Sequence, residues 1–230
     1  MAANVTGIDG CAGGWVAVTL MGAEERVTVA KTLGDLGLRL RLGPDGVTGI
    51  DMPLGLLPAG WRTADLLARR ALGRRGSCVF AIPPRPVWEQ PAYQDANRCC
   101  RELTGRGMSI QAWGLRGKLL EADAFRRATA AAAATPTLCE VHPELSFAAL
   151  AGGTPLADSK HTPHGLAIRR ALLAEAGIAL PPRVPGAAEN DLLDAAAVAW
   201  SAGRIAVGAA VTLTDPDQRA DDGREIAIRY

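Results

Sequence analysis

The chain repeats one pattern in two places, Thr6-Gly7-Ile8-Asp9-Gly10 and Gly49-Ile50-Asp51-Met52-Pro53. Each stretch is a short apolar strand that ends in an aspartate next to glycine or proline. Such an aspartate suits a turn, because its side chain bonds the downstream backbone. It suits equally well a divalent metal at the edge of a sheet, since hard cations prefer carboxylate ligands. Taken alone, the two motifs leave both interpretations open.

The residues around these motifs predict three strands, a helix and a fourth strand, in that order. Alternating and β-branched residues indicate the strands, and leucines at helical spacing indicate the helix. The glycines between the first two strands predict a tight turn. The predicted ranges are 5–9, 15–21, 26–30, 33–42 and 47–51.

The rest of the chain predicts mainly helices. We expect helices at 63–72, 93–103, 110–134, 165–176 and 190–207, with a further helix that begins at Pro143. Asn190 is the expected N-cap of the last one. The proline-rich stretch 73–91 predicts an ordered loop, because proline this dense interrupts helices and central strands. Short strands are expected at 137–141 and 225–229.

Composition favours a single domain over residues 1–230, since 48% of the residues are hydrophobic. No apolar run approaches the roughly 20 residues of a membrane span, and the first residues lack the pattern of a signal peptide. The five cysteines form no CxxC pair, which favours reduced thiols and a cytoplasmic location.

Charge is unevenly distributed, although the net charge is only +1. The segment from Arg62 to Arg127 contains thirteen Lys or Arg residues and six Asp or Glu residues. We interpret 62–134 as a basic helical insertion that presents a surface to nucleic-acid phosphates. Arginine-rich helices that are simply solvated are an equally good interpretation.

Four further carboxylates occupy positions similar to those of the two motifs. Glu140 ends a predicted strand, Glu144 lies in the next turn, and Asp191 and Asp194 share one face of the last helix. First-turn acids also complement a helix dipole, which is the structural alternative. If the carboxylates converge, their repulsion requires a cation. Two Mg²⁺ or Mn²⁺ ions would then support phosphodiester hydrolysis.

Seven stretches of the chain together resemble the DUF429 family, whose members are described as predicted ribonuclease H-like nucleases. They cover nearly the whole chain in order: GIDGCAGGW (7–15), IDMPLGL (50–56), RRALGRRGSCVF (69–80), GMSIQAW (107–113), EVHPELSF (140–147), SKHT (159–162) and NDLLDA (190–195). The resemblance implies a ribonuclease H-like α/β fold. Its mixed sheet would have three antiparallel strands followed by parallel strands, flanked by helices, with the helical insertion after the fourth strand.

The resemblance also implies roles for individual residues. Asp9 and Asp51 match the strand carboxylates of ribonuclease H-like enzymes, and Asp191 and Asp194 resemble the helix-borne acids of the resolvase branch. Asn190 departs from the acidic residue that often begins the last motif, which leaves a capping or outer-shell role for it.

We therefore expect a Mg²⁺- or Mn²⁺-dependent nuclease. The expected catalytic residues are Asp9, Asp51, Asp194 and Glu140, and the expected metal ligands are Asp9, Asp51, Asp191, Asp194 and Glu144. A non-catalytic binder of nucleic acid or nucleotide is the alternative. A small-molecule phosphotransferase is less favoured, because proteins of that class normally duplicate this core.

Several basic and aromatic residues are candidates for substrate contacts. Lys160 precedes a helix N-terminus, where exposed amides suit phosphate. The other candidates lie in the basic segment, where arginine matches phosphate and tryptophan can stack on a base: Arg74, Arg75, Arg85, Gln111 and Trp113. A solvated loop lysine, solvated arginines and a core tryptophan remain alternatives. His142 could be a general base or a metal ligand, although a structural histidine at a strand end is the more common case.

Overall fold

The computed structural model describes residues 4–22, 24–40, 42–43, 46–131 and 137–230. Its centre is one sheet of seven strands in the order β3-β2-β1-β4-β5-β7-β6. The strands are β1 Val5–Cys11, β2 Gly14–Met21, β3 Glu24–Ala30, β4 Val47–Ile50, β5 Thr137–Val141, β6 Thr212–Arg219 and β7 Glu225–Arg229.

Strand directions in the sheet follow from the connections between the strands. Strands β1, β2 and β3 form an antiparallel meander, because short turns join them. The turn before Gly14 depends on glycine, since Gly14 has a φ of 146°. Strands β4, β5 and β7 continue the sheet in parallel with β1, and β6 closes it in the antiparallel direction. This mixed sheet confirms the predicted α/β, ribonuclease H-like fold class.

Helices cover both faces of the sheet. Those described are α1 Leu33–Leu40, α2 Thr63–Ala71, α3 Arg85–Trp88, α4 Tyr93–Thr104, α5 Ile110–Trp113, α6 Arg116–Ala131, α7 Pro143–Leu150, α8 Pro163–Glu175 and α9 Glu189–Ala206, with a 3₁₀ helix at Gly73–Cys78. Helices α2 to α6 lie between β4 and β5 in the chain, within the segment 62–134 that we predict to be an insertion. Within the described ranges, no helix is long and apolar enough to cross a membrane.

Alternating side chains of the central strands separate the core into two layers. Trp15 and Ala17 of β2 pack with α1, α6 and Trp88, whereas Val16 and Val18 pack on the other face with α8 and α9. All four of these β2 side chains are inaccessible to solvent. The insertion and α9 therefore lie on opposite faces of the sheet and approach the same edge.

Close contact between α9 and the sheet depends on two glycines. A Cβ atom on Gly7 would overlap with the α9 backbone at Ala195 and Ala199, and one on Gly49 would overlap with Val198. Each glycine lies two residues before a strand-end aspartate. The small residues of both partners thus bring the beginning of α9 beside the ends of β1 and β4.

Several predicted element boundaries are wrong. The expected loop at 73–91 contains the 3₁₀ helix and α3. The expected helix at 110–134 is two helices, α5 and α6, separated by Gly114 and Leu115, and residues 132–134 of that prediction lie outside the described residues. Helix α1 is described as Leu33–Leu40; residue 41 of the predicted helix lies outside the described residues, and Leu42 is not helical.

Two further differences concern the end of the chain. Ala188, not Asn190, is the N-cap of α9, and Asn190 instead donates a hydrogen bond to Asp191 at 2.6 Å. Strand β6 was not predicted. It is an edge strand that contains Pro216 between two aspartates, and the sheet tolerates proline there because an edge strand leaves some amides unpaired.

Candidate metal centre

Three aspartates meet at one edge of the sheet. Asp9 lies near the end of β1 and Asp51 directly follows β4, and the Asp51 amide donates to the Ile8 carbonyl at 2.8 Å. Because β1 and β4 are parallel neighbours, their carboxyl ends reach the same edge. Asp194 comes from the beginning of α9, which the two glycines bring close to these strands.

The three side chains are close enough to share one cation. Each offers a carboxylate oxygen, and these oxygens all lie within 4.8 Å of one another. Asp194 is fully buried, Asp9 is 7% exposed, and Asp51 is half-buried. Buried carboxylates at this spacing repel one another unless a positive charge compensates them.

Repulsion and burial are visible in the acidity of the three groups. The pKa of Asp9 is raised well above its usual value by burial, with the charges of Asp51 and Asp194 adding to the effect. Burial raises the pKa of Asp51 to about 7 and that of Asp194 to about 6, although Lys160 lowers both. The site is therefore short of positive charge.

The protein itself compensates only part of the negative charge of the three aspartates. Lys160 Nζ donates to Asp194 Oδ2 at 2.5 Å, and the Gly10 amide donates to Asp9 Oδ1 at 2.6 Å. In the part of the chain that the structure describes, no hydrogen-bond donor reaches the buried Asp194 Oδ1. An orphaned carboxylate oxygen among three clustered aspartates fits a divalent cation, because Mg²⁺ and Mn²⁺ take oxygen ligands.

Asp191 lies beside the cluster rather than within it. It is half-buried in the first turn of α9, where burial raises its pKa, and it accepts the hydrogen bond from Asn190. It lines the same cleft as Asp9 and Asp51.

Glu140 reaches the cleft but forms its own buried ion pairs. Its Oε1 accepts from Arg62 at 2.5 Å and its Oε2 accepts from the Leu54 amide at 2.7 Å. Arg62 is fully buried and also pairs with Asp65 at 3.3 Å. Both Glu140 oxygens thus have partners within the fold, and the three-aspartate group does not include this residue.

Glu144, in the first turn of α7, is held by two arginines. Its Oε1 accepts from the buried Arg169 at 2.7 Å and lies 3.6 Å from Arg75. Its Oε2 is buried and without a donor among the described residues. Glu144 faces the cleft outside the three-aspartate group.

His142 caps α7. Its Nδ1 accepts from the Glu144 amide at 3.3 Å. Burial lowers the pKa of His142. A buried ring that caps a helix fits the structural role that the sequence favours.

A cleft of about 610 Å³ opens above the aspartates. Positive groups line it on three sides: Arg75 from the 3₁₀ helix, Lys118 from α6, and Lys160 from the loop before α8. Phe80 and Leu115 add apolar surface. The combination suits a ligand that has both an anionic and an apolar part.

The remaining predicted contact residues lie away from this cleft. Arg74 and Gln111 are exposed on the surface of the insertion. Arg85 is half-buried and pairs with Asp123 at 2.6 Å and with Asp221. Of the predicted substrate contacts, only Arg75 and Lys160 line the cleft.

Trp113 is part of a packed cluster. Its ring stacks on Trp88, with the ring centroids 6.3 Å apart, and the Arg116 guanidinium lies 5.2 Å from its centroid. Stacking on a nucleic-acid base would require displacement of one of these neighbours.

Sequence reasoning gave no specific role to Lys118. Its ammonium lies 4.6 Å from the centroid of Trp15, donates to the Gly14 carbonyl and lines the cleft. The sequence offers one weak signal for a role of Lys118, which is its position four residues after Gly114. This position lies on the first turn of α6, the helix that packs against the β1–β2 turn. Arg62 and Arg169 carried no signal that separates them from other arginines.

Comparison with known families identifies the chain. The family model described as a protein of unknown function, DUF429, matches residues 7–219, so the chain belongs to that family. No curated protein and no solved structure matches the chain.

Proposed function

We propose that the protein is a metal-dependent nuclease that hydrolyses nucleic-acid phosphodiester bonds. The observation that carries this proposal is the group of three aspartates whose ligand oxygens lie within 4.8 Å of one another. Three clustered carboxylates, two of them buried, with one lysine destabilise the fold by their repulsion and suit a divalent cation.

Asp9, Asp51 and Asp194 would hold Mg²⁺ or Mn²⁺. Asp191 and Glu144 line the same cleft and would support this set of metal ligands. Glu144 would do so through its Oε2, which has no hydrogen-bond donor among the described residues. The bound metal would polarise the phosphate and lower the pKa of an attacking water. Glu140 would act through its ion pair with Arg62, which positions the cleft wall.

The reaction is a simple hydrolysis. The water oxygen forms a new bond to phosphorus, and the bond from phosphorus to the leaving sugar oxygen breaks. One water proton finishes on the leaving oxygen, and the other stays on the new phosphate monoester or passes to solvent. Arg75, Lys118 and Lys160 line the cleft and would balance the negative charge of the phosphate.

Exposed arginines of the insertion would guide the rest of the strand. Arg70 and Arg74 are exposed, and Arg69 is exposed but donates a hydrogen bond at 2.8 Å to the carbonyl of Val79, which lines the cleft. Arg62, Arg85, Arg126 and Arg127 are already paired with acids of this chain. The basic surplus available to a polyanion is therefore smaller than the sequence count indicates.

All five cysteines are free thiols, which supports a cytoplasmic location.

The test is a cleavage assay on purified protein with labelled single- and double-stranded DNA and RNA. Cleavage should require Mg²⁺ or Mn²⁺, stop on chelation, and be lost in Asp9→Asn. Asp35→Asn is the matched control, because Asp35 is an exposed first-turn acid on α1. Absence of cleavage with every metal and substrate would reject the proposal.

A second candidate is a non-catalytic binder of nucleic acid or nucleotide. The contact between Lys160 and Asp194 favours it, since an internal ammonium already supplies one positive charge to the cluster. This alternative predicts binding that is insensitive to chelation and no turnover in any divalent metal.

A further inference from the structure

Asp9 and Asp51 line the cleft, whereas Asp194 does not line it. Asp194 has no exposed surface, Asp9 is 7% exposed, and Asp51 is half-buried. One carboxylate oxygen of each lies within 4.8 Å of the others, so a phosphate reaches a cation held by all three only through the cleft.

Walls rise on three sides of the cleft. The stretch from Arg75 to Ile82 forms one wall, and the corner between α5 and α6, with Leu115 and Lys118, forms the second. The loop from Ser159 to His161 forms the third. These walls belong to the helical segment and the α7–α8 connection, so they stand above the sheet edge that carries the aspartates.

The size of the cleft limits what can enter. Its volume of about 610 Å³ lies within the range of roughly 300–1,000 Å³ that encloses small molecules. A DNA duplex is too wide to enter a cleft of this volume, since its major groove alone is about 12 Å wide.

The lining matches one nucleotide in chemistry as well as in size. Lys160, Lys118 and Arg75 offer charge to a phosphate, and Phe80 and Leu115 offer apolar surface to a base. Phe80 is half-buried, so part of its ring remains accessible.

We propose that the cleft admits one nucleotide unit at a time, so that the site acts on the terminal nucleotide of a single strand or on a free nucleotide-sized phosphodiester. Internal phosphodiesters of a duplex or of a closed circle are poor substrates. This inference rests on the proposed nuclease function and specifies its substrate class.

The test compares four substrates with Mn²⁺ and wild-type protein: a linear single strand, a closed circle of the same sequence, a blunt duplex, and bis(p-nitrophenyl) phosphate. We expect the linear strand and the small diester to be hydrolysed, with mononucleotides as the first products of the strand. The circle and the duplex should react at least about 100-fold more slowly, as expected where the binding step excludes them.

Each outcome decides one proposal. A circle cut as fast as the linear strand, or long fragments as first products, overturns this inference while the nuclease assignment stands. Hydrolysis of the strand alone identifies a polymer end as the source of the nucleotide, whereas hydrolysis of the small diester alone rejects the nuclease assignment and identifies a free phosphoester as the substrate. No hydrolysis of any substrate overturns both proposals.

A variant tests the role of the wall. Phe80→Ala should raise the KM for the linear strand about tenfold with little change in kcat, because loss of one base stack weakens binding. Ile110→Ala is the matched control, since Ile110 is an exposed apolar residue of the same segment that does not line the cleft. Equal KM values for the two variants would contradict a base-binding wall at Phe80.

Discussion

Two acidic clusters lie at the same cleft, and their negative charges are compensated differently. One contains Asp9, Asp51 and Asp194, and the other contains Glu140 and Asp65 around Arg62. In the second cluster every carboxylate oxygen has a partner: Arg62 reaches both acids, and backbone amides serve the remaining oxygens. All four carboxylate oxygens of this arginine cluster thus have a partner within the fold, although the buried Arg62 Nε makes no hydrogen bond among the described residues.

The aspartate cluster is not complete in this way. Its one lysine contacts Asp194 only, and Asp194 Oδ1 has no donor among the described residues. Burial raises the pKa of all three aspartates, and it also raises that of Glu140 and that of Asp65, the latter to about 7, so the two clusters differ in their hydrogen bonds and not in the direction of the pKa shifts. The difference indicates that the arginine cluster stabilises the structure, whereas the aspartate cluster requires a positive charge from outside the chain. We identify this charge as a divalent cation.

The largest expected effect is on activity. Asp9→Asn should reduce metal-dependent cleavage by at least about 100-fold, because loss of preorganised charge stabilisation at an active site typically costs that much. Its stability without metal should be unchanged or raised, since a repelling charge is removed. Steady-state rates and thermal melting measure the two effects. Wild-type cleavage by this variant would refute the metal site.

The next effect is on stability, and it separates the two clusters. Arg62→Met should lower the free energy of unfolding by about 3–5 kcal/mol, because two buried carboxylates lose their partner. Lys160→Met should lower it by less, because Lys160 is 31% exposed and contacts one carboxylate, whereas Arg62 is fully buried and contacts two. Urea denaturation measures both. The double variant Arg62→Met/Glu140→Gln should recover part of the loss, and equal losses for the two single variants would contradict the comparison.

A smaller effect appears in the pH dependence of stability without metal. The pKa of Asp51 is about 7 in the folded protein and near 3.8 in the unfolded chain. Between these values the folded state holds a proton that the unfolded state has released, so this group's contribution to stability falls as pH rises from about 4 to about 7. Wild-type stability minus that of Asp51→Asn should therefore decline across this window. A difference that rises with pH would contradict a raised pKa.

The smallest effect concerns competition for the site. Lys160→Met should bind Mn²⁺ several-fold more tightly, because the ammonium no longer competes for Asp194. Lys118→Met is the matched control, since Lys118 lines the same cleft but contacts Trp15 and the Gly14 carbonyl instead. Titration calorimetry gives both affinities. Equal affinities for the two variants would show that Lys160 does not compete.

Much of the candidate site was predictable from local sequence. Asp9 and Asp51 follow short apolar strands, and a turn-joined meander followed by a helix and a strand places both strand ends at one edge. Asp194 begins a run of small buried residues, which fits a helix that packs tightly on the sheet. These features depend on neighbours in the chain, and sequence patterns record such neighbours well.

The rest depends on partners that are distant in the chain. Glu140 resembles a metal ligand in the sequence, yet its partner Arg62 lies 78 residues away and is one of many arginines in the segment. Strand β6 was missed because Pro216 and the acids around it are atypical of a strand. The break after α5 depends on how two packed helices turn at Gly114, which helical periodicity does not record.

One measurement tests the metal centre directly: a crystal structure of the protein soaked in Mn²⁺, with anomalous scattering used to locate the ion. We expect an anomalous peak about 2 Å from oxygens of Asp9, Asp51 and Asp194, with Lys160 no longer in contact with Asp194, and no peak beside Glu140. A fully soaked crystal without a peak at the three aspartates, with Lys160 still paired to Asp194, would contradict the assignment.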